Sequence, residues 1–169
     1  KKRRDSNDPV QIGIGIASYV ETTNPMGSGD YGSVEIKADG GAIVRTGSSS
    51  HGQGHHTAWA MIVSETTGIP MDKIEFRFGD TDDVDRGGGT GGLRSLQVGG
   101  SAAKLAAESV IEKARQRAAD LLEAAVEDVI IDTVRGAFHV KGSPTPARTW
   151  AELIIEINAP LEAEVDYVP

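Results

Sequence analysis

The sequence contains no cysteine among its 169 residues. This absence excludes a thiol nucleophile, iron–sulfur ligation and a disulfide framework within these residues, and it is compatible with the cytoplasmic location that we expect. Long apolar runs are also missing, so we expect neither a membrane span nor a signal peptide. Basic residues are outnumbered, 17 against 25 acidic ones, and the resulting net charge of −8 argues against a nucleic-acid partner.

Glycine, in contrast, is abundant, with 21 residues that cluster in two turns at residues 48–57 and 86–95. Each turn precedes a helical pattern of apolar residues. Glycine lets a backbone approach a ligand closely, and a helix N-terminus presents unpaired N–H groups and the positive end of a dipole. Two such turns in one chain predict an extended anionic ligand that is held at more than one point, which indicates a cofactor site.

The patterns along the chain predict an α+β fold with a mixed β-sheet and helices packed on it. Alternation of isoleucine with small residues predicts a strand over residues 11–22, with Glu21 near its C-terminal end. The other predicted elements are a hairpin of residues 33–37 and 42–46, a helix at 57–67, a strand at 74–78, a loop at 79–100, a long helix capped by Ser101, a hairpin of 129–132 and 137–141, a rigid break at 143–146 and a helix at 150–155 capped by Thr149.

The length suits one domain or one lobe of a larger one, and we interpret residues 1–169 as a single lobe or fragment. Residues 1–8 are expected to form a flexible basic end. Residues 160–169 are expected to be extended, without a partner strand, and truncated. Such a fragment would expose apolar surface, and we expect it to self-associate.

Metal and nucleotide motifs are weak in this sequence. His51, His55 and His56 do not predict zinc, because glycines interrupt the helix that would align them and no glutamate follows the first histidine. The acidic residues around Asp80 lack the spacing of an EF-hand loop.

The glycines of residues 87–92 are not followed by Lys-Ser or Lys-Thr, so they do not form a P-loop, and they lie too far from a strand and a helix for a dinucleotide fingerprint. Arg94, with Arg86 nearby, could donate a planar fork to phosphate oxygens, and Thr90 and Ser95 add hydroxyl donors.

Five motifs occur in a fixed order: IGIGIASYVE at residues 12–21, VRTG at 44–47, HGQGH at 51–55, FGDTD at 78–82 and GTGGLRS at 89–95. Together they resemble the large, molybdenum-binding subunit of the xanthine dehydrogenase and aerobic carbon monoxide dehydrogenase family, closer to the carbon monoxide dehydrogenase-like branch. The resemblance covers residues 11–160 and a minor part of that subunit. Leu93 and Gly91 depart from the pattern, which commonly has a small hydroxyl residue and a larger residue there.

The resemblance implies part of a domain that binds a molybdenum–molybdopterin cofactor, in the cytosine dinucleotide form. It implies cofactor contacts by Gln53, Gly54 and His55. The residues that it places along the pterin and phosphate path are Thr90, Gly92, Arg94 and Ser95, with Gly92 nearest the molybdenum and no residue ligating the metal directly.

The family chemistry is hydroxylation or oxidation with water as the oxygen source, and electrons leave through iron–sulfur and FAD partners. The resemblance places the catalytic glutamate outside this stretch. We therefore expect no catalytic residue in the fragment, no activity of the fragment alone, and assembly with the remainder of the molybdenum subunit. Two alternatives stay open: a non-catalytic module that binds a pterin or nucleotide, and a structural assembly domain.

Overall fold

The computed structural model describes residues 2–169, so Lys1 of the predicted basic end lies outside the described residues. The helices and strands, in chain order, are α1 (Lys2–Asp5), β1 (Asp30–Ile36), β2 (Ala42–Thr46), α2 (His55–Thr67), β3 (Ile74–Arg77), α3 (Gly100–Leu122), β4 (Val129–Asp132), β5 (Ala137–Val140), β6 (Ser143–Thr149), α4 (Trp150–Ile157) and β7 (Leu161–Tyr167). No helix within residues 2–169 combines the length and the apolar character that a membrane crossing requires.

The larger sheet has the strand order β3-β2-β1-β7 and is mixed, as predicted. β1 and β2 form the expected antiparallel hairpin, in which Val34 lies opposite Val44. β2 and β3 are parallel, and α2 provides the crossover between them. Parallel strands end at the same edge of a sheet, so the segments that follow β2 and β3 must meet there. This geometry positions the candidate site.

α3 covers one face of the larger sheet and contributes eight of the twenty residues of the main hydrophobic core. Its buried stripe consists mainly of alanines, which let the helix lie close to the strands, and it includes the predicted Ile111, Ala114 and Ala118. The predicted cap at Ser101 is wrong. The helix continues upstream into a π-helical turn, Ser95–Gly99, and the Ser101 hydroxyl donates to the Gln97 carbonyl at 2.6 Å, as a serine inside a helix does.

The smaller sheet has the order β4-β5-β6 and begins with the predicted second hairpin. The rigid break predicted at residues 143–146 is instead the start of strand β6, which pairs with β5 alone. Proline lacks an N–H donor but is tolerated on such an edge strand, which explains Pro144 and Pro146 there. Helix α4 starts as predicted, with a capping box between Thr149 and Glu152.

Two predictions about extended segments are wrong. Residues 11–22 contain no strand; Ile14 and Ile16 are 93% and 95% exposed, and no other described segment pairs with them. A strand needs a neighbouring ladder, which alternation of side chains cannot supply. Conversely, the segment expected to lack a partner contains β7, which pairs with the whole of β1. Its partner strand, β1, lies more than a hundred residues earlier in the sequence, and a local pattern cannot predict such a pairing.

Candidate cofactor site

The two glycine-rich turns meet at the edge of the sheet where β2 and β3 both end. The first turn follows β2 and the second follows β3. The backbone of Gly47, which joins β2 to the first turn, touches that of Gly87 in the second turn, and a Cβ on either residue would overlap the backbone of the other. The Gly89 N–H also donates to the Gly47 carbonyl at 3.1 Å. Only glycine permits so close an approach, so the glycine content is used to join the turns.

Hydroxyl groups make a second connection between the turns. The Thr90 Oγ1 donates to the Ser49 carbonyl at 2.6 Å and accepts from the Ser49 N–H at 2.9 Å. The Ser95 hydroxyl donates to the same Thr90 Oγ1 at 3.0 Å. Thr90 and Ser95, which were predicted to face the cofactor, therefore also hold the two turns in a fixed relation.

Arg94 and Asp30 lie beneath the second turn and are both buried. The Arg94 guanidinium donates to the carbonyls of Gly29 and Gly89 and has one Nη 3.9 Å from the Asp30 carboxylate. Direct phosphate binding by Arg94 stays a prediction, but the structure gives this side chain contacts inside the protein. Sequence reasoning missed Asp30, because nothing in the sequence distinguishes this acid from Glu35, the second acid of the same strand.

The side chain of Arg86, the first residue of the second turn, lies against β1 and β7. Its guanidinium stacks over the Tyr31 ring at 4.1 Å and forms ion pairs of 3.0 Å and 3.3 Å with Asp166 and Glu164 of β7. The nearby carboxylates, that of Asp166 first, raise the pKa of Arg86. The support that Arg86 was expected to give to a phosphate site is therefore absent, because acidic residues of β7 already neutralise it.

An open cavity of about 560 Å³ lies between the two turns. It brings together five of the seven predicted site residues: Gln53, His55, Thr90, Gly92 and Ser95. Its other lining residues are Glu21, Gly91, Leu93 and Leu96. Sequence reasoning set Glu21 aside as the end of a strand that does not form. The remaining predicted residues, Gly54 and Arg94, lie at the start of α2 and beneath the second turn.

Gly54 is the N-cap of α2, with a φ of 83° that suits glycine, and no side chain caps this helix end. The first intrahelical bond runs from the Ala58 N–H to the Gly54 carbonyl at 3.2 Å. The preceding N–H groups have no carbonyl partner within the helix, and they carry the positive end of its dipole. Since His55 lines the cavity, this helix end can bind an anion placed there.

His55 carries a buried polar atom with no partner. Its Nδ1 forms no hydrogen bond within the described part of the chain, and its ring lies 4.8 Å from the ring of the fully buried Trp59. Burial, followed by the charge of His51, lowers the pKa of His55 below its usual range. The imidazole is thus kept neutral and able to exchange hydrogen bonds with a bound group.

We expect the His55 pKa to make the protein less stable as the pH falls. The folded state disfavours the protonated ring, so below about pH 6.5 the unfolded state binds more protons and the free energy of unfolding declines. Urea titrations between pH 7.5 and 5 should show that decline, and His55→Gln should reduce its slope. His56→Gln is the matched control, since His56 packs edge-on against Phe78 instead; an unaltered slope in His55→Gln contradicts the assignment.

The joined turns, the uncapped helix end and the cavity between them define a cofactor-binding domain of the α+β class. The chain belongs to the molybdopterin cofactor-binding domain family, whose model matches residues 1–169. This result confirms the family resemblance found in the five motifs.

Known relatives agree with this assignment. The carbon monoxide dehydrogenase large chain of Hydrogenophaga pseudoflava is 36% identical over 162 residues, which cover 90% of this chain and 20% of the relative. The 6-hydroxypseudooxynicotine dehydrogenase complex subunit gamma of Paenarthrobacter nicotinovorans is 35% identical over 143 residues, covering 85% and 18%. A crystal structure of the Cu,Mo-CO dehydrogenase in its carbon monoxide reduced state superposes with a TM-score of 0.76 at 36% identity, covering 83% and 18%. The chain thus spans about a fifth of the length of these relatives.

Proposed function

We propose that this chain is the part of a molybdenum hydroxylase that holds a molybdopterin dinucleotide between its two glycine-rich turns. The observation that carries the proposal is the cavity of about 560 Å³ that both turns line. It gathers five residues that the family resemblance implies as cofactor contacts, although they lie some forty positions apart in the sequence.

The residues around the cavity fit the polar parts of such a cofactor. A pyrophosphate fits the uncapped N-terminus of α2, because unpaired N–H groups and the helix dipole both favour an anion. The amide of Gln53 adds a donor beside it. The unpartnered Nδ1 of His55 fits a hydrogen-bonding edge of the ligand. A Cβ built on Gly52, Gly54 or Gly91 would meet nothing within 4 Å, so there is room for a ligand against the backbone.

When bound, the molybdenum supplies a two-electron oxidation in which water provides the oxygen. The chain's own residues bind and orient the cofactor: Gln53 and His55 from the first turn, and Thr90, Ser95 and Gly92 from the second. Gly92, which we place nearest the metal, is held by the Asn24 N–H, which donates to its carbonyl at 2.8 Å. We assign no catalytic base to these residues, and we expect no activity from them alone.

The wider assembly belongs to the same proposal. We infer that the cofactor is the cytosine dinucleotide form, as in the carbon monoxide dehydrogenase-like branch, and that the chain is one lobe of a larger molybdenum subunit. Iron–sulfur and FAD subunits or domains would receive the electrons, in the cytoplasm. The relatives named above support this inference, since one is a large chain and another is a subunit of a complex.

The test uses the complete gene product, purified from its host with any associated subunits. We expect stoichiometric molybdenum by elemental analysis and release of a cytidine nucleotide on acid hydrolysis. Gln53→Ala should lower the content of both at least tenfold, because a hydrogen bond to a charged group contributes about 1.5–3 kcal/mol. Gln116→Ala, an exposed glutamine of α3, is the matched control and should keep the full content.

Other outcomes of this test identify the alternatives. A metal-free protein that still binds a pterin or nucleotide by calorimetry would be a non-catalytic binding module. A protein that binds neither, and whose composition Gln53→Ala does not alter, would be a structural assembly domain.

A further inference from the structure

We propose that Asp30 is the positioning residue of this site: its buried carboxylate fixes the spacing of the two glycine-rich turns without touching the cofactor. The inference rests on the proposed function, because it concerns the geometry in which the turns hold their ligand. Asp30 belongs to neither turn. It is the first residue of β1, at the sheet edge where both turns meet.

The two carboxylate oxygens of Asp30 connect the turns from below. Oδ2 accepts a 2.5 Å hydrogen bond from the hydroxyl of Ser48 in the first turn. Oδ1 accepts from the Gly88 N–H of the second turn at 3.3 Å and from the Tyr31 N–H at 2.9 Å. The side chain has no solvent exposure, so these bonds are not shared with water. One rigid group thus sets the distance between Ser48 and Gly88.

The carboxylate also holds Arg94 beneath the second turn. The side chain of Arg94 is only 6% exposed. Within the described residues, the carboxylate that lies within 4 Å of its guanidinium is that of Asp30. The Arg94 guanidinium donates to the Gly89 carbonyl, whose oxygen lies 3.2 Å from the Ser48 hydroxyl. A buried cation needs a compensating charge. Loss of the Asp30 charge would therefore displace Arg94 and, with it, the backbone of the second turn.

The packing of the sheet does not account for this acid. Burial of a carboxylate is unfavourable unless hydrogen bonds and a counter-charge offset it. Apart from the neighbouring Tyr31 N–H, the polar partners of Asp30 in the described residues all lie within the two turns: Ser48, Gly88 and Arg94. The stabilising contacts of the carboxylate are thus directed at the site and not at the hydrophobic core.

The test is the isosteric change Asp30→Asn in the complete gene product. Asparagine keeps the size and one acceptor but replaces Oδ2 with a donor that faces Ser48 and Arg94. We expect molybdenum and nucleotide to be lost about tenfold faster during dialysis against a chelator, in the range found for groups that orient a metal site from behind. The circular dichroism spectrum should be that of the wild type.

The control is Asp83→Asn, which removes the same charge from a carboxylate in the loop ahead of the second turn; that carboxylate pairs with Arg45 of β2 at 2.8 Å and with Arg77 of β3. It should retain the cofactor as the wild type does. A double variant combines Asp30→Asn with Gln53→Ala. Its rate of cofactor loss should not exceed the product of the two single-variant rate increases, and it should be lower than that product if the turns act together.

Wild-type retention in Asp30→Asn overturns the inference. So does equally fast loss in Asp83→Asn, since a general effect of destabilisation would explain both. If Asp30→Asn does not fold, Ser48→Ala, which leaves the carboxylate in place but frees the first turn, must show accelerated loss for the inference to stand. Absence of molybdenum from the wild type removes the proposed function itself, and elemental analysis reveals this before any variant is made.

Discussion

Replacing Trp59 by alanine is expected to lower the free energy of unfolding by about 3–5 kcal/mol, the usual cost of truncating a buried tryptophan. Trp59 is fully buried in α2, and its Nε1 donates to the Ser95 carbonyl at 3.2 Å. Its ring packs against His55 at 4.8 Å and Phe76 at 5.8 Å. The change therefore removes core volume and the contact that attaches α2 to the π-helical turn that leads into α3. Urea denaturation followed by circular dichroism measures the loss.

Trp59→Phe separates these two contributions. Phenylalanine keeps most of the apolar contact but leaves the Ser95 carbonyl without its donor, which should cost about 1–3 kcal/mol. We expect Trp59→Phe to lose much less of the free energy of unfolding than Trp59→Ala does in the denaturation experiment. A loss of less than about 1 kcal/mol in Trp59→Ala would show that Trp59 does not hold the two segments together.

A methyl group on Gly47 is expected to separate the two glycine-rich turns. The added Cβ of Gly47→Ala would overlap the Asp30 carboxylate and the Gly87 backbone. The backbone cannot rotate away as a side chain can. Overpacking typically costs about 1–3 kcal/mol, and we expect the destabilisation here to reach or exceed the upper end of that range. Cofactor content should fall in parallel, since the turns would no longer meet. Denaturation and elemental analysis of the same preparation test both effects.

Gly91→Ala is the matched control for this substitution. Gly91 is also in the second turn, but its added Cβ would meet no protein atom within 4 Å, and its φ lies outside the left-handed region. We expect its free energy of unfolding to stay within about 0.5 kcal/mol of the wild type. If Gly47→Ala behaves in the same way, the close approach at Gly47 and Gly87 does not hold the turns together.

Local signals in the sequence predicted much of the fold. The Asp39-Gly40-Gly41 turn between alternating apolar residues predicted the β1–β2 hairpin, and Thr149 as a cap predicted the start of α4. Both features are encoded within a few residues, so propensity and spacing are sufficient. The glycine-rich turns likewise predicted a site, and the structure brings five of the seven predicted residues to one cavity.

Features that depend on distant partners could not be predicted in this way. The pairing of β7 with β1 joins Tyr167 to Asp30, and no local pattern contains that information. The same holds for Asp30, which is isolated in the sequence but accepts hydrogen bonds from both turns. The apolar alternation in residues 11–22 led to the opposite error, a predicted strand that does not form, because no described segment lies beside it to pair with.

The pairing of β1 with β7 has a consequence for the synthesis of the protein on the ribosome. β1 lies between β2 and β7 in the sheet, but β7 is translated more than a hundred residues after the β1–β2 hairpin. At about 5–20 residues per second, β1 keeps one open edge for many seconds after its hairpin can form. An open strand edge invites pairing with other chains. The strand that carries Asp30 is therefore open to misassembly in a nascent chain, and a chaperone that covers this edge would protect the future site.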